Sequence, residues 1–341
     1  MLHTTRNETA ERCGSADVNL PFMSAGFRFV DCKPRMSSFR DAVIAGLSAT
    51  PKNLDPKFFY DEAGSRLFEQ ICDLPEYYPT RTEMAILEQN VDVLHEVVGN
   101  NIELVEFGSG SSRKGRLMLD RLRPASYVAI DISREQLLQA CNELSEIYPN
   151  LSITAVCADY SLPLYWSDDN DHHRRRLAFF PGSTIGNFYP DEALAFLVNV
   201  RNMVGQKGGL LIGVDLKKNA EQLNAAYNDS AGVTAAFNLN LLHRINRELQ
   251  GDFLPHQFRH HAFYNEEAGR VEMHLLSLCE QGVHIGDRSF HFAQGESLHT
   301  ENSYKYTVSE FHVLAAQAGF QARQVWQDEA RLFSVHYLQA H

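Results

Sequence analysis

The 341-residue chain lacks several things that would have assigned it to familiar classes. Its six cysteines (Cys13, Cys32, Cys72, Cys141, Cys157 and Cys279) include no CxxC pair, so neither a zinc ribbon nor a dithiol redox site is expected, and all six are read as reduced thiols. No apolar stretch approaches the roughly 18 residues that span a bilayer. The opening MLHTTRNETAERCGSADVNL has no apolar h-region, so no secretory signal is expected and the location is read as cytoplasmic. Basic residues are outnumbered, with 31 Lys+Arg against 43 Asp+Glu for a net charge of −12, which argues against nucleic acid or an anionic membrane as partner. There is no low-complexity tract and no internal repeat. What is present is ordinary globular composition, 44% hydrophobic and 22% charged, in a chain longer than one core usually holds.

Residues 1–25 are polar and aperiodic and read as a loose arm. Ser37–Leu47 is amphipathic at helical spacing, and the proline- and aromatic-rich segment after it suggests short helices, with a longer one from about Thr82 to Val98. The centre alternates strand and helix. Strands are expected at Asn101–Phe107, Ser126–Ile132, Leu151–Ala158, Arg176–Phe180 and Gly209–Leu216, separated by helices of ten to fifteen residues. That rhythm predicts an α/β fold with a parallel sheet covered on both faces. After Asp215 it breaks into a helical stretch and strand-like pieces, with EEAG and IGDR as antiparallel turns. A helix near Ser309–Ala318 and two closing strands follow. A parallel run ending in an antiparallel hairpin is the Rossmann-like sheet of class I methyltransferases, whereas NAD-binding folds end in a further parallel strand.

The motif Glu106-Phe107-Gly108-Ser109-Gly110-Ser111-Ser112 lies between the first of these strands and its helix. Glycines there let the backbone turn and approach a ligand that a Cβ would block, and the helix N-terminus offers free N–H groups. Asp131 ends the second strand about 20 residues on, where a carboxylate can accept from both ribose hydroxyls. Asp159, followed by Tyr160, ends the third and is placed to meet an adenine amine. Ser112 stands where the dinucleotide fingerprint has its third glycine, which favours S-adenosylmethionine over NAD.

Five blocks then carry a resemblance: FFYDEAGSRLFEQICDLPEYYPTRTE (58–83), VEFGSGSSRKGRLML (105–119), FFPGSTIGNF (179–188), AAYNDSAGVTAAFNLNLL (225–242) and HTENSYKY (299–306). From about Phe39 to its end the chain resembles the L-histidine Nα-methyltransferases of ergothioneine biosynthesis, with the motifs in the same order. The resemblance implies a class I domain that binds S-adenosylmethionine (81–216 and 305–341) and a histidine-binding domain (26–80 and 217–304). It implies that Gly108, Gly110, Lys114, Asp131, Asp159 and Tyr160 hold the cofactor, with Tyr60 nearby. It implies further that Tyr77 and Tyr227 bond the substrate carboxylate and Asn187, with Gly182 beside it, meets the α-amine. Asn187 and Tyr77 are the catalytic candidates; Glu301 and Ser303 would bind the imidazole, with Met273 lining that pocket. Arg113, Gly115 and Asn302 depart from the family pattern, but 302 faces away from 301 and 303 in an extended segment.

Taken singly, Tyr77 would be core and Glu301 a solvated charge, and Asn187 would be as readily a turn or capping residue as a functional one; only their recurrence in one motif set changes that. His256, His260 and His261 offer an i, i+4 pair, but their surroundings look like strand, so no metal is expected. The expected activity is trimethylation of the α-amine of L-histidine, with the methylated intermediates also accepted, by a monomer. The alternatives are another amine N-methyltransferase, acting on tryptophan derivatives, and a non-catalytic sensor of S-adenosylmethionine or histidine.

Overall fold

The computed structural model describes residues 26–32, 39–109, 113–164 and 174–341. The arm read at 1–25 and Gly110 lie outside the described residues.

The expected parallel sheet is present, with strands β3 (Ile102–Phe107), β4 (Ser126–Asp131), β5 (Ser152–Cys157), β6 (Arg175–Phe180) and β7 (Gly209–Asp215). Helices α3 (Tyr78–Val98), α4 (Arg113–Leu122), α5 (Arg134–Ile147) and α6 (Pro190–Val204) accompany it. α9 (Val308–Gln317) precedes the closing hairpin of β13 (Phe320–Gln327) and β14 (Phe333–Ala340). The chain runs outward from β3 through β4 to β5, then crosses to β6 and β7 on the other side, where β14 and β13 add antiparallel. The crevice beyond the carboxyl ends of β3 and β6, where the order reverses, is where open sheets of this class take their ligands.

One expectation is corrected. Residues 27–31 fall in the segment assigned to the histidine-binding domain, but β1 (Phe27–Asp31) pairs in parallel with β5 and makes the parallel run six strands long. Its FRFVD sequence buries only Phe29 and Val30, too short a signal beside a polar segment. The long helix also begins four residues earlier than its periodicity suggests, because Pro79 is tolerated in a first turn whose N–H groups need no partner. Cys72, Cys141, Cys157 and Cys279 are free, but Cys32 is disulfide-bonded, against the expectation of six reduced thiols.

Apolar side chains of α3, α4 and α5 cover one face of the sheet, and those of α6 and α9 the other. A third core lies apart from the sheet. It joins α1 (Phe39–Ser48), the 3-10 turn Pro56–Phe59 and α2 (Glu62–Cys72) to α7 (Ala220–Tyr227) and α8 (Val233–Leu249). Against these helices packs a small sheet in the order β2 (Lys52–Asn53), β12 (Ser297–Tyr304), β9 (Arg270–Ser277), β8 (Phe258–Asn265). The hairpin β10 (Gln281–Ile285) and β11 (Arg288–Phe292) sits beside it, and EEAG and IGDR form turns as read. α3 ties the two units together, with Tyr78 in this third core and Ile86 to Val98 under the main sheet. No helix among the described residues is long and apolar enough to cross a membrane.

Candidate functional site

Of the motif's two glycines, Gly108 lies among the described residues. Gly108 leaves β3 at φ 71, its N–H bonds the Ile130 carbonyl at 2.9 Å, and nothing lies within 4 Å of where a Cβ would stand. At the end of β4, one oxygen of Asp131 accepts from the Ser133 N–H at 2.8 Å. Burial pushes its carboxyl up to about 6 despite the Ser133 and Ile132 N–H groups that oppose the shift. Asp159 folds back on Ser161, accepting from its N–H at 3.0 Å and its hydroxyl at 2.6 Å, and lies 3.9 Å from Lys57. Tyr160 packs edge-on against Phe107 and Phe180, which fixes its ring at the strand ends.

Lys114 has a protein partner. Its ammonium turns onto Glu83 at 2.5 Å, and the other contacts of that carboxylate are to the Gly182 N–H at 2.9 and 3.1 Å. Glu83, only 1% exposed, therefore links α3, the helix after the glycine motif and the turn after β6. Gly213 makes room for it, since a Cβ there would stand 1.9 Å from Glu83 Oε1.

The turn after β6 carries Asn187. Gly182 has φ 82 and Ser183 takes a left-handed φ of 56, a conformation that costs a non-glycine residue energy and persists where surroundings enforce it. Here the Asp215 N–H bonds the Ser183 hydroxyl at 2.8 Å. The 3-10 turn Thr184–Asn187 then lies against β12 so closely that a Cβ on Gly186 would stand 2.7 Å from the Tyr304 carbonyl oxygen. Half-buried Asn187 thus comes to the edge of the small sheet.

On that sheet Glu301 lies directly across from Met273, itself across from Ala262, after a bulge between His299 and Glu301. Ser303 follows on the same face, and its Oγ accepts from the Tyr227 hydroxyl at 2.8 Å. Asn302 points the other way, opposite Glu272, as its alternation requires. Aromatic rings wall this recess. Tyr77 stands edge-on to Tyr227 with centroids 6.3 Å apart, and Tyr60 packs against Phe68 and Phe237. Burial, then the Glu301 charge and Tyr160, push the Tyr60 phenol far up. Burial likewise raises Glu301 to about 7, with Lys305 partly offsetting it. By surface area Glu301 is half-buried.

Sequence reasoning missed the group behind this face. Lys305, 2% exposed, reaches Asp215 at 2.6 Å, Ser303 at 2.8 Å and the Tyr227 hydroxyl at 3.1 Å. Asp215 also accepts from Tyr78 at 2.7 Å and pairs with Lys218 at 2.6 Å. Burial alone would raise Asp215, but Lys305 and Lys218 hold it down, while burial draws Lys218 to about 8. The signal available was spacing, since 301, 303 and 305 alternate onto one face.

Glu272, His274 and His299, on the opposite face of the small sheet, bring potential ligand atoms within 4.8 Å of one another. Glu272 is already held by Arg270 at 2.8 Å, Asn265 at 3.0 Å and His274 at 3.0 Å. With its charge matched by the Arg270 guanidinium, Glu272 is committed to a hydrogen-bonded network bracing the strand, burial lowers the pKa of both histidines, and His299 bonds the Glu301 carbonyl at 3.0 Å from behind. His260 and His261, weighed as an i, i+4 pair with His256, lie on β8 rather than a helix.

Residues 39–340 match the family described as histidine-specific methyltransferase, SAM-dependent. The chain belongs to that family. It is 40% identical over 304 residues to the histidine N-alpha-methyltransferase of Mycolicibacterium smegmatis, covering 87% of this chain and 94% of that one. Ergothioneine biosynthesis protein 1 of Neurospora crassa is 29% identical, covering 81% of this chain and 32% of that protein. The 4-dimethylallyltryptophan N-methyltransferase of Claviceps fusiformis is 26% identical, covering 86% of this chain and 89% of that one. The family's cofactor fits the residues present: an open left-handed glycine, and carboxylates at and just beyond the ends of two adjacent strands.

Proposed function

We propose that this protein transfers methyl groups from S-adenosylmethionine to the α-amine of free L-histidine, three in succession, giving Nα,Nα,Nα-trimethyl-L-histidine for ergothioneine biosynthesis. The observation that carries the reading is the pairing of Glu301 and Ser303 on one face of β12, across from Met273, inside the aromatic recess. A neutral imidazole has one donor and one acceptor nitrogen, and an acid with a hydroxyl two residues on can engage both. An indole has a single donor and gives Ser303 nothing to bond.

When bound, the cofactor supplies an electrophilic methyl on a sulfonium. The protein's work is positioning. Asp131 and Asp159 fix the ribose and adenine, and Tyr60 closes the space between cofactor and recess. Asn187 orients the amine lone pair. A carboxylate there would stabilise the ammonium and keep attracting the quaternary product, whereas an amide does neither. An α-amine titrates near pH 8 or above, so no strong base is needed. The acidic chain acts as a cytoplasmic monomer on small molecules, without nucleic acid.

Turnover of histidine, tryptophan, tyrosine and phenylalanine, read by mass spectrometry, tests the proposal. Histidine and its mono- and dimethylated forms should react, with the others poorer by about ten-thousandfold, because a pocket with buried polar groups rejects rings that leave them unpaired. Comparable rates for tryptophan and histidine would overturn it in favour of an indole substrate, and binding without methyl transfer would leave a sensor.

A further inference from the structure

Lys305 has three ammonium protons and three partners: Asp215, Ser303 and the Tyr227 hydroxyl. None is left for a ligand. The Tyr227 hydroxyl receives one of these bonds and donates its own proton to Ser303, so it keeps none for the substrate carboxylate that the resemblance assigns to it. The opposite direction would make the phenol oxygen a double acceptor, for which it is poorly suited because one lone pair is conjugated into its ring. Ser303 Oγ thus takes two protons, from Tyr227 and Lys305, and both its acceptor positions are filled. Its hydroxyl proton is all it has to offer the recess.

We infer that Lys305, anchored by Asp215, fixes the hydrogen-bond polarity of the recess, so that Ser303 donates to the ligand while Glu301 accepts. This rests on the proposed reading of Glu301 and Ser303 as the ring contacts. The ligand class follows: a neutral azole with one N–H and one lone pair, and not its cation, whose second N–H would face the Ser303 proton. Lys305 is a positioning residue that acts through Ser303. Other charged or titratable groups face the pair as well. Tyr60 and Tyr77 border Glu301, Met273 on β9 does not titrate, and His260 on β8 is bound to the Tyr227 carbonyl at 2.8 Å. Lys218 meets the Asp215 oxygen that Lys305 does not, and the Tyr78 hydroxyl lies at 2.7 and 2.9 Å from the two Asp215 oxygens, behind Ser303 and the Tyr227 hydroxyl.

The test is the affinity of Nα,Nα,Nα-trimethylhistidine, whose amine cannot titrate, measured by calorimetry with S-adenosylhomocysteine present. Glu301→Gln serves as the background, to remove the titration of that carboxyl. Below the imidazole pKa of about 6.5, affinity should fall about tenfold per pH unit. Adding Lys305→Met should flatten this to under about threefold, because Ser303 can then accept from the cation. Tyr227→Phe should flatten it too with Lys305 in place, which covers a Lys305 variant that does not fold. Affinity that rises on acidification, or a slope that survives both variants, would overturn the inference. Absence of binding at every pH, in the Glu301→Gln background and in the wild-type protein alike, would overturn the substrate reading beneath it as well.

Discussion

Lys305 and Asp215 meet at 2.6 Å with both side chains about 1% exposed, so one of the molecule's most buried ion pairs stands directly behind the candidate ring-binding residues. Asp215 answers two cations, Lys305 and Lys218, so the two ends of the pair are unequal.

That inequality predicts unequal costs. Asp215→Asn leaves two buried ammonium groups opposite no anion and should destabilise the protein by about 3–5 kcal/mol. Lys305→Met leaves Asp215 matched by Lys218 and should cost clearly less. Urea denaturation of both variants checks the order, and equal costs would refute the unequal roles.

Glu301 gives a pH signature to stability. Its folded carboxyl is raised from 4.5 to about 7, so the neutral form is favoured on folding. The associated stability is complete below about 4.5 and is lost as pH rises through about 7. Without ligand, Glu301→Gln should therefore stabilise the protein by about 1–2 kcal/mol at about pH 8 and not at about pH 5. Melting curves at the two pH values decide it.

Asp131→Ala should weaken S-adenosylhomocysteine about ten- to a hundredfold, the loss of a charged hydrogen-bond partner worth about 1.5–3 kcal/mol. Because the wild-type carboxyl sits at about 6, wild-type affinity should also decline as pH falls below that value while the variant's stays flat. Calorimetry reads both, and unchanged affinity would remove Asp131 from the cofactor site.

Asn187→Ala should lower histidine affinity and turnover with cofactor affinity nearly intact. Normal turnover would mean that the amine is held elsewhere.

Gly213→Ala places a methyl on Glu83, which is 1% exposed and held by Lys114 and the Gly182 N–H. The variant should release Lys114 and Gly182 together, lowering turnover more than a comparable Gly→Ala change at Gly282, where a Cβ meets nothing. Equal activity in the two variants would show that the Glu83 link is dispensable.

The sheet was legible because each buried strand is a short apolar run closed by a helix of contrasting period. β1 was not, since five residues with two buried side chains barely differ from a loop. The site was legible where motifs are contiguous, as in the turn with Gly182 and Asn187 or the alternation of Glu301 and Ser303. It was not legible where partners come from distant segments. Glu83 and Gly182 are separated by 99 positions, and nothing local in either marks the other. Asp215 looked like a strand terminus and Lys305 drew no reading at all, because pairing in the interior is a tertiary event.

The third core has a temporal consequence. Its first half, from Val43 to Tyr78, emerges early in synthesis, but its second half, from Leu223 to Leu298, emerges only after the main parallel strands. Phe59 and Phe68 therefore lack their ring partner Phe237 while β3 to β7 are being made. Domains fold largely as they are completed, and contacts between distant segments form slowly. The nascent chain thus assembles its cofactor-binding sheet around an unsatisfied apolar segment, and the recess that selects the substrate is the late product of folding.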